Sequence, residues 1–127
     1  MVYPGRMADT SHALSTSVLK ERLQAAFPSL LEELTQLVAI PSVSSDPAHA
    51  ADVERSAEHI RERFAALGLE AKVLRESAED GTEGKPALVA HTPHIEGAPT
   101  VLLYAHHDVQ PVGELDRWSM DPYKAEV

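Results

Sequence analysis

The feature that most constrains this chain is a change of hydrophobic period near Gly68. Before it, apolar residues recur at every third or fourth position; after it, they alternate or run unbroken. The first spacing lines one stripe of a helix, and the second lines one face of a strand. The first stripe runs from Val18 through Leu19, Leu23, Ala26, Phe27, Leu30, Leu31, Leu34, Leu37 and Val38. Pro28 lies inside it and implies either a kink or a fresh helix start with the proline in the first turn. Pro41 closes the segment, because the residue before a proline is pushed out of the helical region. A second stripe carries Val53, Ala57, Ile60, Phe64 and Leu67, with Glu54, Arg55, Glu58, Arg61 and Glu62 opposite. Asp46 and Pro47 supply its cap and first residue, and Gly68 ends it.

Beyond Gly68, Leu69 to Leu74 alternates as a half-buried strand does. Arg75 to Lys85, with Gly81 and Gly84, reads as a surface loop, and Ala87 to Ala90 as a second strand. Thr100 to Ala105 is an unbroken apolar run, suited to an interior strand covered on both faces. Two helices followed by strands of a mixed sheet predict an α/β layered fold. Three strands and two long helices make a partial layer, so the chain reads as truncated. Residues 1–17 are expected to be a flexible N-terminal tail and 18–127 the folded part, with Met7 an alternative start.

Composition removes several function classes. A net charge of -9 with no run of lysine or arginine argues against nucleic acid, whose phosphates need a basic footprint. The absence of cysteine excludes disulfides and thiolate metal sites, leaving histidine and carboxylate as the available ligands. No stretch approaches the roughly 20 apolar residues that span a bilayer, and the first fifteen residues do not form a signal peptide. A soluble, cytoplasmic protein without membrane partners is expected.

The segment that carries chemistry is Tyr104-Ala105-His106-His107-Asp108-Val109-Gln110-Pro111. It puts an imidazole and a carboxylate two residues apart at the carboxyl end of the apolar run. Residues i and i+2 of a strand share a side, so His106 and Asp108 can share a site while His107 faces away. A metal-bound imidazole usually donates its other N–H to a carboxylate, and strand ends of open α/β sheets are where ligands bind. The plainer reading is that a His-x-Asp triplet arises by chance and that its histidine is a hydrogen-bonded structural residue. Spacing alone leaves both open. His12, His49, His59, His91 and His94 are expected to be exposed and without function. Glu76, Glu79, Asp80 and Glu83 form an acidic, solvated loop.

Leu102 to Pro111 resembles the His-x-Asp-Val-x-Pro signature of the aminoacylase/carboxypeptidase-type di-zinc metallopeptidases, most closely their dipeptidase branch. Ile40-Pro41-Ser42-Val43-Ser44 is similar to that family's loop after its first helix. Trp118-Ser119-Met120-Asp121-Pro122-Tyr123 is similar to its Trp-x-x-Asp-Pro-aromatic stretch. The resemblance implies a partial three-layer zinc-peptidase catalytic domain and an enzyme that cleaves dipeptides or very short peptides with a zinc-activated water. It implies His106 as a zinc ligand and Asp108 as the acid that orients it. The other ligands of the two zinc ions and the general base would lie beyond Val127, so the 127-residue piece alone is expected to be inactive. A homodimer of the full-length protein is a further implication. An N-acyl-amino-acid deacylase or desuccinylase is the nearest rival, and a non-catalytic scaffold of the same fold is the rival from another class. Trp118 and Tyr123 could line a site rim or serve as local packing.

Overall fold

A computed structural model describes residues 15–125; residues 1–14, most of the expected tail, lie outside it. Helix α1 (Thr16–Val38) begins two residues before the stripe at Val18 and continues through Pro28 as one helix. Pro28 leaves one helical N–H missing, and the hydroxyl of the next residue, Ser29, donates to the Ala26 carbonyl at 2.8 Å. The chain divides within α1, residues up to Glu33 forming one compact unit and Leu34 onward another. Along α1, Leu19, Leu23, Phe27, Leu30 and Leu34 are all exposed.

In the second unit, Asp46 caps a short 3-10 turn (Pro47–His49) by accepting from the Ala48 N–H at 2.9 Å. The turn leads directly into helix α2 (Ala50–Ala66). Proline at the first position costs no hydrogen bond there, which is why the Asp-Pro pair starts the helix cleanly. Gly68 ends it at φ +80, with its N–H returning to Ala65 at 2.9 Å and that of Leu69 to Phe64 at 3.0 Å. Strands β1 (Glu70–Leu74) and β2 (Ala87–His91) pair antiparallel. Their register sets Ala71 opposite Ala90 and Val73 opposite Leu88. All four are half-buried, whereas Glu70, Lys72, Leu74, Ala87, Val89 and His91 on the other face are exposed. Helix α2 packs on this two-stranded sheet, so the unit is one helical layer on one sheet layer.

The core is small and centred on α2 and the loop before it. Val53, Ser56 and Ala57, at i, i+3 and i+4, form the buried stripe of α2, and Ile40, Ser42 and Val43 meet solvent hardly at all. Arg75 reaches back from the end of β1 to pair with Glu54 of α2. The loop after β1 folds on itself through a bridge between Ser77 and Glu83. Its Glu76, Glu79, Asp80 and Glu83 are all exposed.

The α/β character agrees with the pattern of the sequence, but one strand does not form. Val101, Leu102, Leu103 and Tyr104 are 74%, 89%, 89% and 91% exposed and pair with no other strand. A strand exists only through its neighbours' backbone groups, and among the described residues none pairs with this run. The sheet among the described residues is accordingly antiparallel rather than mixed. Parallel pairing appears once, as an isolated bridge between Val43 and Val109.

Candidate metal-binding site

The Val43–Val109 bridge locates the chemistry. Val43 points into the core at 3% exposure, so Ser42 and Ser44 flank it on the other side of the chain. The Val109 N–H donates to the Ser42 carbonyl at 3.0 Å, which holds the 106–109 segment against the loop after α1. Ser42 Oγ donates to the main-chain oxygen of His107 at 3.2 Å. From the opposite side, Ser56 Oγ of α2 donates to the same oxygen at 3.1 Å. Two hydroxyls, both almost fully buried, thus grip one carbonyl. No buried side-chain nitrogen or oxygen among the described residues lacks a partner.

His107 is half-buried and wired into this scaffold. Its Nε2 donates to the buried Pro86 carbonyl at 3.2 Å, and its Nδ1 lies 3.2 Å from Ser56 Oγ. Both ring nitrogens are engaged, so neither is presented outward as a ligand. His106 has the opposite arrangement. Its side chain is 73% exposed, and its Nδ1 contacts the main-chain oxygen of Asp108 at 2.9 Å and Asp108 Oδ1 at 3.1 Å. Both of those atoms are acceptors when the carboxylate is ionised, so the ring donates to them through Nδ1–H, and in the neutral imidazole that leaves Nε2 as the nitrogen with a lone pair. The second carboxylate oxygen, Oδ2, accepts from Ser44 Oγ at 2.5 Å. The Ser44 hydroxyl, and after it the His106 N–H, hold the Asp108 carboxyl below its ordinary value despite a cost from burial.

The described residues fit one metal-ligand position. A histidine with Nδ1 tied to a carboxylate and Nε2 free is the form in which imidazole ligates a metal. Among the described residues no three His, Cys, Asp or Glu side chains come together to hold an ion. His91 and His94 are exposed, His49 and His59 are half-buried, and His12 lies outside the described residues. His49 is occupied with Asp52 at 2.8 Å. Next to the site, a shallow apolar cleft is lined by Val109 to Val112 together with Trp118, Pro122 and Tyr123. The Trp118 indole N–H donates to the Val112 carbonyl at 2.8 Å, so Trp118 both packs and borders the cleft.

Sequence reasoning assigned none of Ser42, Ser44, Ser56 and Pro86 to this site, although Ser42 and Ser44 lie in the Ile40–Ser44 stretch it singled out. The available trace was the Ser-Val-Ser alternation, which marks a short extended piece with two hydroxyls on one side and an apolar residue on the other. Ser56, on an apolar helix stripe between Val53 and Ala57, was a second trace: a polar residue there needs a partner.

No family model matches the chain. It is 29% identical over 121 residues to the Cys-Gly metallodipeptidase DUG1 of Candida albicans, across 90% of this chain and 25% of that protein. It is 31% identical over 93 residues to a cysteinylglycine-S-conjugate dipeptidase of Corynebacterium striatum, across 73% of this chain and 19% of that one. A succinyl-diaminopimelate desuccinylase of Parvibaculum lavamentivorans is 34% identical over 97 residues, across 76% and 22% respectively. A solved structure of the di-peptidase Dug1p from Saccharomyces cerevisiae matches with a TM-score of 0.73 at 26% identity. That match covers 82% of this chain and 23% of the Dug1p chain. The chain therefore spans 25% or less of the length of these relatives.

Proposed function

We propose, from the premise that this chain is a homologue of metallodipeptidases and matches part of their length, that the full-length protein hydrolyses dipeptides or very short peptides with zinc. The observation that carries this reading is the geometry of His106: Nδ1 lies 3.1 Å from Asp108 Oδ1 on a side chain that is 73% exposed, the arrangement in which a neutral imidazole offers Nε2 to a metal. His106 is the proposed zinc ligand, and Asp108 the group that fixes its ring. Zinc, when bound, would supply Lewis-acid activation of water and of a scissile carbonyl. This chain's own contribution is to hold one ligand in the right protonation state and orientation, and to brace it on the Ser42, Ser44 and Ser56 scaffold. Two zinc ions in the full-length protein and a cytoplasmic setting belong to the same reading. A homodimer does as well.

The relatives' names suggest the first substrates to test. Cys-Gly is the substrate named for the Candida relative, and succinyl-diaminopimelate is the one named for the desuccinylase. The desuccinylase match, at 34% identity, is what keeps deacylation as a second reading. The test is to express the full-length protein, count bound zinc, and assay both substrates beside the His106→Ala variant. The proposal expects hydrolysis of Cys-Gly, and loss of zinc from one site together with loss of turnover in the variant. Turnover of the succinyl substrate alone would establish the second reading. Full zinc content in the variant would remove His106 from the ligand set.

A further inference from the structure

The Asp108 carboxylate has two oxygens and two separate partners. Oδ1 meets the His106 ring at 3.1 Å, and Oδ2 accepts the Ser44 hydroxyl at 2.5 Å from 64 residues earlier in the chain. Terminal carboxylate torsions are broad and soft, so a carboxylate held at one oxygen only can rotate away from its target. With Oδ2 pinned, Oδ1 has one place to be. Ser44 is itself fixed, because Val43 before it is buried and bridged to Val109, and the adjacent Ser42 carbonyl accepts the Val109 N–H. The donor and the carboxylate therefore belong to one braced unit. Asp108 sits one residue from the bridge, and Ser44 sits one residue from it on the other strand.

From this geometry we infer that Ser44 is a positioning residue of the metal site: its hydroxyl fixes the Asp108 carboxylate, and the carboxylate fixes the His106 ring with Nε2 outward. The inference rests on the proposed ligand role of His106. It adds a third member, drawn from the loop after α1, to a pair that is local in sequence. A role for Ser44 that was only structural would brace the loop without reaching the imidazole.

The test uses the full-length protein with Ser44→Ala, Ser44→Thr and Asp108→Ala, and the double variant Ser44→Ala/Asp108→Ala. Zinc affinity is measured by competition with a chromophoric chelator. In metal-free protein labelled with nitrogen-15 at histidine, the His106 tautomer is read by long-range nitrogen–proton correlation and assigned with His106→Ala. Removing outer partners of a metal-bound histidine costs about 10- to 100-fold in affinity. Ser44 acts one step further out, so Ser44→Ala is expected at about 10-fold or somewhat less, with the Nδ1–H form of His106 depleted. Threonine keeps the hydroxyl and should restore both readings. In the Asp108→Ala background, Ser44→Ala should add little, because a residue acting through a partner has nothing left to act on. A Ser44→Ala protein that melts earlier yet keeps the wild-type zinc affinity and tautomer overturns the inference while leaving His106 as a ligand. Full zinc content in His106→Ala overturns the parent reading and this one together.

Discussion

Two neighbouring histidines with the same side chain have opposite surroundings. His106 is solvent-facing and leans on an acid two residues away; His107 is half-buried and spans α2 and the residue before β2. Their variants should separate accordingly. His107→Ala removes the donor to the Pro86 carbonyl and leaves that buried oxygen unpaired, at a cost of about 1–3 kcal/mol. Denaturant unfolding should show this loss, while zinc content stays at the wild-type level. A fall in zinc without a fall in stability would reverse the assignment of the two rings. Asp108→Asn keeps the shape but removes the charge and turns one of the two acceptor oxygens into a donor. The His106 N–H also has the Asp108 main-chain oxygen at 2.9 Å to fall back on. The expected loss in zinc affinity is therefore about 10-fold, the lower end of the range for such partners. An unchanged affinity would leave the carboxylate without an orienting role.

At the scale of elements, what could be read in advance was what is local. The Asp46-Pro47 start, the α2 stripe, the Gly68 stop and the alternation in β1 each depend on residues within a few positions of one another. Thr100 to Ala105 was different. An unbroken apolar run says what an element would bury, but only a neighbouring edge makes it a strand, and that information is not in the run. Pro28 within α1 was also undetermined by pattern, since a kinked helix and two helices share the same apolar stripe. For the site, the His-x-Asp pair was legible because it spans two residues, and the serine scaffold was not because its bonds span 51 to 65. Gly68 gives a clean check on a local signal. At φ +80 an added Cβ would meet nothing within 4 Å, so Gly68→Ala tests backbone conformation without a clash. We expect a loss of about 1 kcal/mol in unfolding free energy with an unchanged denaturant slope. A neutral or stabilising result would mean that the helix end rearranges.

For the molecule as a whole, the exposed apolar run and the lack of a three-residue ligand cluster among the described residues point the same way. Purified residues 1–127 should bind zinc weakly and show no dipeptide hydrolysis, since a catalytic zinc normally needs about three protein ligands and no three His, Cys, Asp or Glu side chains come together among the described residues. Val101 to Tyr104, nearly bare to solvent, should also make this polypeptide self-associate. Zinc titration, a dipeptide assay and light scattering on that polypeptide check both expectations, and turnover that survives removal of contaminating peptidases would refute the first. The grip of Ser42 and Ser56 on the His107 carbonyl has a consequence for how the molecule is made. Those two hydroxyls are synthesised 65 and 51 residues ahead of the oxygen they need. Until residue 107 has left the ribosome, α2 carries a serine on its inward stripe with no acceptor from that segment. The nascent chain can form α2 early, but the inward Ser56 of that helix gains this partner only when the histidine pair arrives.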